Sequence, residues 1–207
     1  MKYTLIALAV AYQLTAQIDA KRKAEYLLDE NDFRIEQNLF KEKIKNPDYQ
    51  YVVYENDTAL IGKILRREDF GKISQNERTE IVKSIKEITG KKIEDSQTIV
   101  LNFYYKDSPE PKGSCIDHYL SDMTYKRFLK KQKNLFQVFI TEKNYSYKSE
   151  NTFEDKQDRI RKALFKYPVR CGNYIIIMPN GDFYRKLGEY RQDQIPEKLI
   201  NLSLNNR

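Results

Sequence analysis

Two cysteines and the only histidine hold most of the reactive chemistry in this 207-residue chain: Cys115, Cys171 and His118. Cys115 and His118 stand in the run Cys115-Ile116-Asp117-His118. That spacing sets thiol and imidazole side by side if a helix has begun by Cys115. A thiol at a helix start ionises more readily, and a neighbouring imidazole activates it further, so the run has the pattern of a nucleophilic cysteine. It supplies no third group to orient the imidazole, and a surface histidine beside Asp117 accounts for the same residues. One histidine and two cysteines do not make a structural zinc site without carboxylates, and no metal is expected. There is no Gly-rich phosphate loop, no Ser-His-Asp arrangement that can be placed and no paired-carboxylate motif, so no cofactor is expected either.

The elements that would position these residues can be read from periodicity and punctuation. Thr98–Tyr105 is a continuous β-branched and aromatic run, as in a strand buried on both faces. The Pro- and Gly-rich loop Asp107–Ser114 follows, then a predicted helix from Cys115 to Lys131 and a strand at Leu135–Thr141. Tyr174–Met178 and Asp182–Leu187 flank Asn180-Gly181, a strong hairpin signal because glycine adopts positive φ without cost. Ser74-Gln75-Asn76-Glu77 predicts a capping box, and the helix it opens carries Ile81, Ile85 and Ile88 inward and ends at Gly90. Thr152–Asp155 predicts the start of a helix with Ile160, Leu164 and Phe165 inward. A last helix is expected with Asp193 as its cap and Pro196 in its first turn. Before these, Tyr49–Tyr54 and Thr58–Leu65 read as strands. Residues 17–48 read as a charged helical segment that ends at Asn46-Pro47.

Residues 1–16 predict a secretory signal peptide: Lys2, a short apolar run from Thr4 to Ala11, and a cleavage point after Ala16. The run is far shorter than the ~20 residues a bilayer span needs. An exported protein, periplasmic or extracellular, is expected. The chain has a net charge of +7, but its signs are interleaved with no block of like charges. Mean hydropathy is −0.76. A mixed, solvated surface is the reading, with no nucleic-acid partner and no membrane contact after cleavage.

From residue 58 the order strand-helix, strand, helix, strand, helix, strand-strand, helix resembles the thioredoxin-like superfamily, with Asn102-Phe103-Tyr104 standing where that family has its central-strand motif. The resemblance implies an α/β fold: a thioredoxin-like mixed sheet flanked by helices over residues 49–207, with an extra N-terminal helix. The chain departs from the family in two places. No Cys-x-x-Cys follows the central strand, and Asn173 stands where the family has its cis-proline. A cis bond before a non-proline residue costs about 3 kcal/mol, so a trans bond is expected there.

The resemblance also implies that Cys115, near the start of the helix after the central strand, lies close to Cys171, in the loop facing that helix. Three states are then open: a structural bridge, a redox-active pair, or two separate thiols. In an exported protein a disulfide is the ordinary outcome, and closing a loop of that size stabilises by roughly 4 kcal/mol on chain-entropy grounds. The expected function is a non-catalytic binding or structural role, with a protein as the partner class. Contacts are expected at Tyr105, Ser108, Pro111, His118, Asn173 and Tyr174, around the altered loop. The alternative is a thiol-disulfide oxidoreductase using Cys115 with Cys171 as its catalytic pair. Sixteen tyrosines, unusual in number, suit an aromatic contact surface as well as a core.

Overall fold

A computed structural model describes residues 24–106, 114–149 and 151–204. The expected signal peptide, with Ser108 and Pro111, lies outside them. The chain is α/β, with two sheets and six α-helices among the described residues.

The N-terminal segment differs from expectation. Ala24–Leu28 is a strand (β1), and the only helix before residue 48 among the described residues is the short α1, Gln37–Lys43. Ala24, Leu27 and Leu28 fit a helical stripe equally well, but β1 finds a parallel partner in β3 (Ala59–Arg66), with Ala24 opposite Ala59 and Leu28 opposite Lys63. Tertiary pairing outweighs the weak local preference of such a segment. β2 (Tyr49–Glu55) pairs antiparallel on the other side of β3 and completes a three-stranded sheet. Phe40 of α1 covers one face of that sheet, with an edge-to-face contact to Tyr51.

The six-stranded sheet runs β4 (Glu68–Lys72), β9 (Asp182–Leu187), β8 (Asn173–Ile177), β5 (Thr98–Tyr104), β6 (Leu135–Thr141), β7 (Thr152–Glu154). Its first strand in sequence is therefore β4 and not Thr58–Leu65, which belongs to the small sheet. β5 lies parallel to β6 and antiparallel to β8, with Ile99 opposite Ile177 and Phe103 opposite Asn173. All seven residues of β5 are buried, as its β-branched and aromatic run leads one to expect.

Helices cover both faces. α2 (Gln75–Thr89) begins in the expected capping box: Ser74 Oγ accepts from Glu77 N at 3.2 Å, and Glu77 Oε2 accepts from Ser74 N at 2.8 Å. It ends at Gly90, whose φ of 66° is left-handed. With α5 (Arg159–Leu164) it packs Ile81, Ile85, Ile160 and Leu164 onto one face of β5, β6 and β8. The other face is closed by α4 (Met123–Lys131) and α6 (Ile195–Leu204).

Three helix starts are corrected. The helix expected over 115–131 is two, α3 (Cys115–Ser121) and α4, because Asp122 turns out of the helix and caps the second, its Oδ1 accepting from Tyr125 N at 2.9 Å. Thr152 opens a strand, and the N-cap of α5 is Asp158; its first-turn amides are met from outside by the fully buried Asp155, which accepts from Arg159 N and Arg161 N at 3.0 Å each. Asp193 pairs with Arg191 and lies inside a 3-10 turn, Gln192–Gln194, that leads into α6.

Candidate functional site

The C-terminal end of β5, the start of α3 and the loop into β8 meet at one place. Ser114 initiates α3 with a capping box, accepting from Ile116 N at 3.3 Å while Asp117 Oδ2 accepts from Ser114 N at 2.9 Å. That puts Cys115 at the first helical position. The loop from Val169 to Gly172 brings Cys171 to it, and the two form a disulfide with Cα atoms 5.2 Å apart. To make the approach, Cys171 adopts φ 59° and Gly172 φ 106°, the second a conformation suited to glycine. A Cβ on Gly172 would stand 3.0 Å from the ring of Tyr190 and from the hydroxyl of Tyr119.

Beneath the bridge lies a tyrosine network. Tyr119 Oη donates to Cys171 O at 3.2 Å and accepts from Tyr190 N at 3.2 Å. The two rings stack with centroids 4.3 Å apart. Tyr190 Oη donates to Asn102 Oδ1 at 2.6 Å and lies 2.9 Å from Tyr104 Oη. Asn102 is fully buried and its amide donates to Val138 O at 3.3 Å, so the Asn-Phe-Tyr motif of β5 fixes the depth at which Tyr190 sits. Burial pushes the hydroxyls of Tyr104 and Tyr190 well above the ordinary tyrosine value, and that of Tyr119 upward, so all three remain protonated donors across the physiological range.

The remaining expected site residues divide. His118 is exposed one turn along α3, and no described residue hydrogen-bonds its imidazole. Asp117, its neighbour in sequence, is engaged by Ser114 N and the hydroxyl of Tyr147. Tyr105, Asn173 and Tyr174 are buried, at 6%, 0% and 2% exposure, so they cannot form the contact surface expected of them. Tyr105 donates its hydroxyl to Phe165 O. Asn173 donates to Val169 O at 2.9 Å and Phe103 O at 3.3 Å and accepts from Gly188 N at 3.1 Å. It thus holds the Cys171 loop to the sheet. No cis peptide bond occurs among the described residues, and the bond before Asn173 is trans.

A cleft of about 390 Å³ lies over the bridge. Cys115, Cys171, His118, Tyr119 and Tyr190 line it. Asp122, Glu189 and Gln192 complete it, and none of these three is singled out by a sequence motif. Gln192 has a further property. It is 4% exposed, and neither its Nε2 nor its Oε1 has a hydrogen-bond partner. No group of three or more potential metal ligands occurs among the described residues, and none of their helices is long and apolar enough to cross a membrane. Compared with protein-family models and with curated proteins, the chain matches none.

Proposed function

We propose that this chain is an exported thioredoxin-like protein in which the dithiol site has become a binding cleft, held in shape by Cys115–Cys171. The observation that carries the reading is the state of the cysteines. They are joined across the two segments where the resemblance would put reactive groups. Among the described residues none hydrogen-bonds the His118 imidazole, Asp117 is engaged elsewhere, and the Cys171 carbonyl is held by Tyr119. A nucleophilic thiol needs an aligned base or a cationic neighbour. Export is consistent with the bridge, since disulfides persist outside the reducing cytoplasm.

A redox-active pair is the competing reading, favoured by the position of Cys115 at the first turn of a helix and by the cleft that gives access to the sulfurs. Equilibration with glutathione and dithiothreitol buffers, followed by thiol trapping, separates the two. A structural bridge reduces only below roughly −300 mV, whereas an oxidoreductase pair titrates between about −120 and −270 mV and turns over a model disulfide in a way lost on Cys115→Ser. The second result would overturn the binding reading.

A further inference from the structure

We propose that the free edge of β4 is a dimer interface. Two copies of this chain join β4 to β4, antiparallel about a twofold axis at Phe70, and make one continuous sheet. The proposal concerns the sheet edge away from the cleft and does not depend on what the cleft does.

β4 ends the six-stranded sheet, with β9 on one side only. Which of its main-chain groups face outward follows from the ladder. Leu187 N donates to Arg67 O at 2.8 Å, and Ile73 N donates to Gly181 O at 3.0 Å. Bonded residues alternate in an antiparallel pair, so Asp69 and Gly71 also face β9. Glu68, Phe70 and Lys72 therefore aim their N–H and C=O groups away from it, and no described residue meets those groups. β1, which flanks β3, makes its last pair at Lys63, five residues before Glu68. The described chain begins at Ala24, opposite Ala59 at the far end of β3. Residues 107–113 follow β5, which β8 and β9 separate from β4.

The side chains of this edge are complementary to themselves. Glu68, Phe70 and Lys72 lie on the face of β4 that carries Tyr184 and α6: Phe70 pairs with Tyr184, and Glu68 meets Lys186 at 3.0 Å and Lys198 at 3.2 Å. Phe70 is 81% exposed, more than any other large apolar side chain among the described residues. In the twofold register Phe70 meets Phe70 of the second copy, and Glu68 meets Lys72 of the second copy at either end. All three outward residues then sit in bonded pairs, with two main-chain hydrogen bonds each. Both charged groups are accessible, since the Glu68 side chain is 43% exposed and that of Lys72, with Asp182 at 3.5 Å, is 65% exposed.

The same residues reject other registers. Sliding one strand by two residues sets Phe70 against a charge and forfeits a bonded pair. Sliding it by four sets Glu68 or Lys72 against its own copy, two like charges directly opposite. Charged residues on an edge ordinarily discourage pairing with unrelated strands. Here their signs are opposite and symmetric about an exposed phenyl ring, which admits one partner, the chain itself.

The test follows the oxidised protein by sedimentation velocity across a concentration series. The parent chain should pass from monomer to dimer. Phe70→Lys sets two like charges on the axis and should raise the dissociation constant about tenfold or more, with an unchanged melting temperature at low concentration because the side chain is exposed. Lys72→Glu should weaken the dimer likewise by opposing Glu68. Cysteines read the register, since bonded antiparallel residues stand about 5.5 Å apart at Cα, within disulfide reach. Phe70→Cys should cross-link to its own copy under mild oxidation. Glu68→Cys and Lys72→Cys should not do so singly, and a mixture of the two should. A chain that stays monomeric, a dimer indifferent to Phe70→Lys (as one built on the β2 edge would be), absence of the Phe70→Cys link, or self-linking of Glu68→Cys or Lys72→Cys would each overturn the inference. None of these readouts depends on the bridge potential that decides the binding reading.

Discussion

Asn173 makes three hydrogen bonds from a fully buried amide, to two carbonyls and one N–H that belong to three different segments. Truncation would strand all three partners without water. Leaving a buried polar group unmet costs about 1–3 kcal/mol, and some relaxation is expected, so Asn173→Ala should lose about 3 kcal/mol of unfolding free energy in a urea titration. Asn173→Asp should also destabilise, since a carboxylate cannot donate to Val169 O or Phe103 O. A loss within 0.5 kcal/mol, the usual range for surface positions, would mean the amide does not hold the Cys171 loop. The same residue shows why single positions read poorly from sequence. Asn173 stands where the resemblance has its proline and so reads as a contact position, and only the meeting of Val169, Phe103 and Gly188 around it makes it interior. Tyr105 and Tyr174 fail for the same reason, because tyrosine suits a rim and a core equally. The two cysteines were legible as a pair only through the strand order that brings their segments together. Gln192, Asp122 and Glu189 belong to no motif and were not legible at all.

At the scale of elements, what was legible is what is local. The capping box at Ser74, the αL stop at Gly90 and the Asn180-Gly181 hairpin each need only neighbouring residues, and each is present. Gly181 is required twice over. Its φ is 90°, and a Cβ there would stand 2.3 Å from Ile73 O, the segment that leads into α2. Ile73 N donates to Gly181 O at 3.0 Å, so hairpin and helix entry share a contact that cannot open to make room. Gly181→Ala should therefore destabilise by roughly 2–4 kcal/mol, well beyond the cost of a poor turn residue alone, whereas Ser74→Ala should remove about 1 kcal/mol, the value of a cap. Chemical denaturation of the two variants checks the order; an alanine at 181 no worse than one at 74 would contradict the close approach. β1 and β7 were missed because a strand's partner is remote. Ala24–Leu28 needs β3, and Thr152–Glu154 needs β6. Neither segment advertises strand strongly enough to outweigh a helical spacing or an apparent cap.

Across the whole molecule the two sheets are joined by a junction that ionisation should weaken at both ends of the pH scale. Lys63, only 1% exposed in the small sheet, donates to Asp29 O at 2.6 Å, pairs with Asp32 at 2.6 Å and lies over the ring of Tyr167. Tyr167, on the chain that leads to the bridge loop, donates its hydroxyl to Asp32 Oδ1 at 3.1 Å. Val52, Leu65 and Val169 pack beside them, and Gln50 Nε2 donates across to Leu187 O at 3.1 Å. The hydrogen bond from Lys63 holds the Asp32 carboxyl below its ordinary value of 3.8. Below that pH the unfolded chain takes up the proton first, so the contribution of this group is present above 3.8 and is lost as pH falls through the lower folded value. Burial, then the Asp32 charge, pushes the Tyr167 hydroxyl from 10.0 up to about 12. Between those values the unfolded chain releases a proton that the folded one keeps, so stability falls as pH rises through that window. Asp32→Asn tests both limbs at once. The acid limb should shrink. The Tyr167 value should drop but stay above 10.0, because burial, the larger cause, is untouched. At neutral pH the variant should be less stable, since the buried Lys63 ammonium exchanges its carboxylate for a neutral amide. Urea midpoints across pH, with tyrosinate absorbance for Tyr167, measure all three effects. An unchanged acid limb in Asp32→Asn would mean that other carboxylates govern acid unfolding and that the junction contributes nothing to it.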